Sequence, residues 1–105
     1  SLSLPEKQVE LLKVRAPEVE IHSVHVCQDA PVIGKRIDSQ PFYEDEMLNL
    51  LAISRKGQVL KYPTDNTVIE ENDIFFFLGN KNKLTEYLGL FKGDDEACDT
   101  LPLGE

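Results

Sequence analysis

The sequence predicts an α+β domain, built from a small mixed or antiparallel β-sheet and one C-terminal amphipathic helix. Its 105 residues suit a single domain with a thin hydrophobic core. Several β-rich runs, separated by turn signals, occupy most of the chain. A single run with helical spacing follows the last of them. Together these observations place the strands first and the helix last, as in a compact α+β domain.

The first strand is expected over residues 18–27, after a boundary at Pro17. Its apolar residues change phase at Ser23, so that those before it lie on one face and those after it on the other. Either a bulge at Ser23 or burial of both faces of the strand would produce this pattern.

An apolar knuckle around Gly34 follows, over residues 32–37. The polar stretch 38–45 contains Pro41, and we expect a short helix or turn that is broken there. Glycine suits the knuckle because the chain turns there with little room for a side chain.

The next strand is expected over Met47–Arg55, with Leu48, Leu50 and Ala52 on one face. Both of its faces are mostly apolar, which favours a central position in the sheet. A tight-turn signal at Lys56–Gly57 then leads into its hairpin partner over Gln58–Tyr62.

The most apolar run, Ile74–Leu78, predicts a buried strand. Asn80 is a suitable N-cap for the helix that follows, and Gly93 is a suitable end. The apolar residues between them recur at i, i+3, i+4 and i+7: Leu84, Tyr87, Leu88 and Phe91.

We therefore divide the chain into a linker (1–17), a folded domain (18–92) and an acidic tail (93–105) that we expect to be disordered. The chain begins with Ser1 rather than methionine, which suggests a fragment of a longer protein. No apolar run reaches the roughly 20 residues of a membrane span, and no signal peptide is recognisable.

Composition disfavours several classes of partner. The net charge of −8 argues against a nucleic-acid surface and against binding to anionic lipid. Cys27 and Cys98 are interpreted as free thiols in a reducing compartment rather than as a disulfide. A metal site would need more soft ligands than these two, so no metal is expected.

Catalytic motifs are missing from the sequence. His22 and His25 lie three residues apart on a strand without a third ligand nearby, and we interpret them as polar residues near a sheet edge. The isolated glycines match neither a nucleophile elbow nor a phosphate-binding loop. The phenylalanines at 75–77 fit a core strand better than a platform for stacking bases, because the chain is acidic. The sequence therefore predicts that the protein is not an enzyme.

An ordered series of short motifs resembles the TrkA C-terminal domain, also called the RCK C-terminal domain, over about residues 18–91. The motifs are Pro-Val-Ile-Gly-Lys at 31–35 with Ile37, Ala-Ile-Ser-Arg-Lys-Gly at 52–57, Pro63, Asn-Thr-Val-Ile at 66–69, and Glu-Asn-Asp-Ile at 71–74 before Gly79. Two positions depart from the family. Glu46–Met47 stand where many members carry a glycine, and the span 38–41 lacks the Asp-x-Arg-Ala-like stretch of potassium-channel gating subunits. Pro41 with its acidic followers is more similar to the version appended to cation/proton antiporters.

The resemblance implies a homodimer that senses a small ligand at or near the subunit interface and is coupled to a membrane transport domain. Cyclic di-AMP is a ligand of some members, and no cofactor or nucleic-acid partner is expected. By analogy the pocket would involve Ile33, Ile37, Asp38 and Phe42, although the three apolar residues equally suit a core or a dimer interface.

The resulting functional hypothesis is a ligand-sensing regulatory domain of a potassium or sodium/proton antiporter, or of a related ion transporter, at the cytoplasmic face of the cell membrane. Two alternatives stay open. One is the C-terminal domain of a potassium channel or uptake gating subunit, which a dinucleotide-binding domain would precede. The other is the effector domain of a transcription regulator, which a helix-turn-helix domain would precede.

Overall fold

The computed structural model describes residues 19–61, 63–94 and 97–101. Its elements in chain order are β1 (Val19–His25), a 3-10 turn (Ile37–Ser39), β2 (Leu48–Arg55), β3 (Gln58–Lys61), β4 (Ile74–Asn80), α1 (Lys81–Thr85) and α2 (Leu88–Lys92). The four strands form one antiparallel sheet in the order β1-β4-β2-β3. The predicted α+β class and the antiparallel alternative are confirmed, whereas the predicted linker lies outside the described residues.

β4 lies between β1 and β2 and contributes the largest side chains to the core face of the sheet. Its Phe75 and Phe77 are 0% and 1% exposed, while Phe76 between them points to the other face and is half-buried. Val24 of β1 and Ile53 of β2 lie directly opposite Phe75 on the two neighbouring strands, and both are fully buried. Residues that face each other across antiparallel strands share a sheet face, so these side chains form one continuous apolar layer.

The bulge considered for β1 lies instead in β2. β1 pairs with β4 in unbroken register, and His22 and Ser23 are both buried, so burial of both faces explains its pattern. The pairing of β2 with β4 shifts between Leu50 and Ala52. The shift turns Ala52 away from the core face, so the predicted grouping of Ala52 with Leu48 and Leu50 is wrong.

An aromatic cluster fills the space between the sheet and the helices. Phe42, from the loop that precedes β2, lies at its centre and is 1% exposed. Ring centroids of four other aromatic residues lie 5.2 to 6.2 Å from that of Phe42: Phe75, Phe77, Tyr87 and Phe91. Most of these pairs are edge-to-face, the arrangement that the ring quadrupole favours.

The predicted C-terminal helix is divided into two short helices. Asn80 caps α1 as expected, because its side chain accepts from the backbone N–H groups of Asn82 and Lys83. At residues 86 and 87 the backbone makes i→i−3 bonds, which tighten the chain and end α1. Leu84 and Phe91 are nevertheless both buried, so the helical spacing identified the inward face correctly. No helix in the described parts of the chain is long and apolar enough to cross a membrane.

Part of the tail that we expected to be disordered packs against the domain. The Thr100 carbonyl accepts from the N–H of His25 at 2.9 Å, and Thr100 is 7% exposed. Cys98 forms a disulfide with Cys27, so the interpretation of two free thiols is wrong for this structure. The two cysteines lie 71 residues apart, and only the packing of residues 97–101 against the end of β1 brings them together.

Candidate functional site

The knuckle (residues 32–37) is held in place by main-chain bonds to the segment 67–69. The N–H of Gly34 donates to the carbonyl of Ile69 at 2.8 Å, and the N–H of Ile37 donates to that of Thr67 at 2.9 Å. Gly34 has φ +81, a conformation that residues with a Cβ adopt rarely. The knuckle is therefore a defined structure that presents a fixed outer surface.

An ion pair with a buried carboxylate holds the segment to which the knuckle is bonded. Asp73 is fully buried and accepts from Arg55 at 2.9 and 2.8 Å and from the N–H of Glu70 at 2.9 Å. Arg55 also donates to the carbonyl of Val68, at 2.8 Å. One guanidinium thus connects β2, the start of β4 and the segment that carries the knuckle, and the bond to Asp73 raises the pKa of Arg55.

The outer surface of the knuckle carries an exposed cation. The Arg36 side chain is 57% exposed and makes a bidentate pair with Asp38, at 3.0 and 2.7 Å. The hydrogen bond from Arg36 to Asp38 raises the pKa of Arg36. Lys35 beside it is exposed as well. Two adjacent cations make this loop a local exception in an acidic chain.

The four predicted ligand residues lie at different depths. Ile33 is half-buried against the core, and the side chain of Asp38 is 29% exposed, so both reach the surface. Ile37 is 1% exposed, and Phe42 lies in the aromatic cluster. Direct contact with a ligand at the outer surface is thus open to Ile33 and Asp38, while Ile37 is reached only from a cavity that it lines and Phe42 is enclosed in the core. Their role in binding stays a prediction.

A cavity of about 320 Å³ lies beside the knuckle, and Ile37 forms part of its wall. The other lining residues are Tyr43, Leu48, Asn49, Leu50 and Pro63. The Tyr43 hydroxyl donates to the carboxylate of Asp65, and this bond raises the pKa of Tyr43. More of the cavity surface is polar than apolar, and the Tyr43 phenol is among the groups that line it.

Sequence reasoning missed Arg36 and Tyr43 as candidate functional residues. The sequence offered only a weak signal for Arg36, because Lys35-Arg36 is one of two pairs of adjacent cations in this acidic chain and Arg55-Lys56 is the other. Tyr43 had no such signal, since its place on the cavity wall depends on the fold of the loop between the 3-10 turn and β2.

The model of the TrkA-C domain matches residues 21–92, which include the knuckle, all of β2 to β4 and both helices. The chain belongs to the TrkA-C domain family. The resemblance inferred from the motifs is thereby confirmed, and the family is regulatory rather than catalytic, in agreement with the prediction of a non-enzyme.

Solved structures share this TrkA-C fold. The RCK_C domain dimer of S. agalactiae BusR, in complex with c-di-AMP, is 24% identical with a TM-score of 0.60, and the match covers 69% of this chain and 95% of that one. The RCK C domain of the potassium transport protein KtrA, also in complex with c-di-AMP, is 21% identical with a TM-score of 0.63, covering 81% and 96%. At these identities the likeness establishes the fold.

A longer BusR structure contains promoter DNA. S. agalactiae BusR in complex with its busAB promoter is 25% identical with a TM-score of 0.58, and the match covers 84% of this chain but only 46% of BusR. The TrkA-C domain thus corresponds to about half of that regulator, and the expectation of no nucleic-acid partner conflicts with what such a relative binds. No protein of curated function matches the chain.

Proposed function

We propose that this TrkA-C domain is the ligand-sensing regulatory part of a cation transporter, that it works as a homodimer at the cytoplasmic face of the membrane, and that its ligand is a cyclic dinucleotide. One observation carries the proposal: the knuckle of a TrkA-C domain exposes Arg36, and the next residue, Ile37, lines a cavity. The two RCK_C structures that hold c-di-AMP support the choice of ligand. The resemblance at Pro41 favours a potassium or sodium/proton antiporter as the transporter.

The chemistry of a cyclic dinucleotide fits the knuckle. Its phosphates are anionic, and a guanidinium binds a phosphate in a bidentate geometry, as Arg36 binds Asp38 here. A phosphate would compete with Asp38 for Arg36. We therefore propose that Asp38 holds Arg36 in the free protein and is displaced when the ligand binds. Ile33 offers apolar surface to a purine, while the buried side chains of Ile37 and Phe42 anchor this region in the core.

Coupling to transport requires two states with different affinities for the ligand. A ligand that binds near a subunit interface favours the dimer geometry that completes its site, and it shifts the transporter only by that difference in affinity. Val68, which pairs with Arg36 in an isolated bridge, is 46% exposed and provides apolar surface next to the knuckle for a second copy.

The test is calorimetric titration of the chain with cyclic di-AMP, with sedimentation run in parallel. We expect saturable binding and a dimer, and we expect Arg36→Ala to weaken binding at least 10-fold because the phosphate contact is lost. The matched control is Lys56→Asn, which removes an exposed cation from the β2–β3 turn and keeps a residue that tolerates its φ of +52. Equal loss in both variants would mean that only net charge matters, and the knuckle assignment would then fail.

A second candidate function is the effector domain of a transcription regulator, favoured by the likeness to DNA-bound BusR. The native coding sequence upstream of Ser1 separates the two. Several apolar spans there would support the transporter, a helix-turn-helix domain would support the regulator, and a dinucleotide-binding domain would support a gating subunit.

A further inference from the structure

Three side chains with soft-metal chemistry meet at the end of β1. The Nδ1 atom of His25 lies 3.4 Å from Sγ of Cys98 and 4.0 Å from Sγ of Cys27. All three ligand atoms lie within 4.8 Å of one another. Among the described residues this is the one such cluster of three potential metal ligands, and it lies apart from the cavity beside the knuckle.

Asn72 orients the imidazole toward the sulphurs. Its Oδ1 lies 3.1 Å from Nε2 of His25, and an amide oxygen can only accept, so Nε2 donates to Asn72 and Nδ1, which faces the sulphurs, is the nitrogen placed to bind a metal. Asn72 is itself held, because its N–H donates to the carbonyl of Val26 at 2.8 Å. A metal-binding histidine usually donates its second nitrogen to such a partner, which sets the tautomer and the ring orientation.

We infer that, once the disulfide is reduced, His25, Cys27 and Cys98 form a binding site for a zinc ion. Two thiolates and one imidazole are a known ligand set for Zn²⁺, which then keeps a fourth position for water or another ligand. Soft thiolates also discriminate against the hard cations Mg²⁺ and Ca²⁺. Cys98 lies 73 residues from His25 in the sequence, so only the folded chain brings the three side chains together.

The chemistry balances with a dithiol as the reductant. The dithiol supplies two electrons and two protons, its own sulphurs become a disulfide, and the bond between Cys27 and Cys98 opens to two thiols. Binding of Zn²⁺ then displaces one proton from each thiol. The metal-bound and disulfide forms therefore exclude each other.

The backbone geometry and burial suit both forms. Tetrahedral zinc with Zn–S bonds of about 2.3 Å needs its sulphurs about 3.8 Å apart. The Cα atoms of Cys27 and Cys98 are 6.0 Å apart, so side-chain rotation suffices to separate the sulphurs. Cys27 is fully buried, while His25 and Cys98 are half-buried, which leaves one side of the cluster accessible to an entering ion. In either form the site fastens residues 97–101 to β1.

The test uses the full 105-residue chain, reduced with a phosphine and titrated with Co²⁺ as a spectroscopic probe and then with Zn²⁺. We expect one ion per chain, sulphur-to-cobalt charge-transfer bands in the near ultraviolet, and the intense visible bands of tetrahedral cobalt, all displaced by Zn²⁺. Cys98→Ser should halve the charge-transfer intensity, because one thiolate remains. His25→Gln should weaken binding more than 10-fold, and Asn72→Gly should weaken it about 10–100-fold.

Three controls make the result decisive. Gln28→Ala, an exposed neighbour of Cys27, should keep the wild-type spectrum and affinity. Asn72→Asp should retain affinity, since a carboxylate also accepts from Nε2. The oxidised wild-type chain has the same sequence and should bind no cobalt, so the comparison does not depend on how well any variant folds. If the reduced chain binds no Co²⁺, or if Cys98→Ser and His25→Gln leave binding unchanged, the cluster is a disulfide site only and the proposal is wrong.

Discussion

At the scale of single residues, carboxylates rather than cations organise this acidic chain. Asp73 gathers Arg55 and the N–H of Glu70 inside the protein. Asp45 does the same at the surface of the helical layer, where it accepts from the Tyr87 hydroxyl and pairs with Lys83 at 3.3 Å. The sequence showed both residues only as members of acidic turns. Their partners lie 18 and 42 residues away, so local pattern could not reveal them.

The Asp45 contacts predict a specific pH dependence. The hydrogen bond from Tyr87, assisted by those from Met47 and Lys83, lowers the pKa of Asp45 in the folded protein. A lowered folded pKa adds stability that is present above the unfolded value of about 3.9 and is lost as the pH falls through the folded value. We expect Asp45→Asn to lower the thermal midpoint by about 3 °C at pH 7.

The difference in thermal midpoint between Asp45→Asn and the wild type should disappear in acid. Calorimetric midpoints of wild type and Asp45→Asn, measured from pH 7 down to pH 2, should approach each other below about pH 4 and meet only below the lowered pKa of Asp45, where the wild-type carboxyl is protonated. Glu44→Gln, an exposed neighbour, is the control and should stay close to wild type throughout. A difference that is constant across this range would show that the charge of Asp45 contributes nothing.

At the scale of elements, the strands and the inward helix face follow from apolar periodicity, while their irregularities do not. The bulge in β2 depends on the strand that pairs with it. β2 must align Leu50 with Phe77 and Ile53 with Phe75, and an extra residue between these pairs is the only way to keep both on the core face. Alternation counted along β2 alone cannot detect a constraint that β4 imposes.

A pair of glycines tests the packing of these elements. A Cβ at Gly79 of β4 would lie 2.5 Å from the carbonyl oxygen of Met47 and 2.8 Å from Leu48, whereas a Cβ at Gly89 of α2 would meet nothing within 4 Å. We expect Gly79→Ala to destabilise the domain by about 2 kcal/mol through overpacking. Gly89→Ala should be neutral or stabilising, by up to about 1 kcal/mol, because alanine favours a helix.

Urea unfolding of both variants, followed by circular dichroism, gives these free energies. A Gly79→Ala variant as stable as wild type would mean that β4 and the loop before β2 separate easily. The close approach would then not contribute to the position of Phe42, which enters the core from the same loop.

At the scale of the whole molecule, the disulfide joins the tail to the sheet across 71 residues of sequence. A cross-link over a loop of this length stabilises mainly by restricting the unfolded chain. We expect reduction in the absence of metal to lower the free energy of unfolding by about 2–4 kcal/mol. Residues 97–101 should then lose their protection against amide hydrogen exchange, while β4 should keep it.

The measurement is urea unfolding with and without a phosphine reductant, paired with hydrogen exchange read by mass spectrometry. Cys98→Ser without reductant is the matched comparison and should behave like the reduced wild type. Unchanged stability and exchange on reduction would show that the hydrogen bond from His25 to Thr100 and the burial of Thr100 hold the segment without the covalent link.

The sequence alone determined the α+β class, the approximate bounds of the strands, the inward face of the helical layer and, through its ordered motifs, the TrkA-C family. These properties depend on periodicity and turn chemistry, which act over a few residues. Only the tertiary structure decided the burial of Phe42, the exposure of Arg36 next to a residue that lines a cavity, and the meeting of His25, Cys27 and Cys98. Each of these needs contacts between segments far apart in the chain, and such contacts form only when the whole core packs.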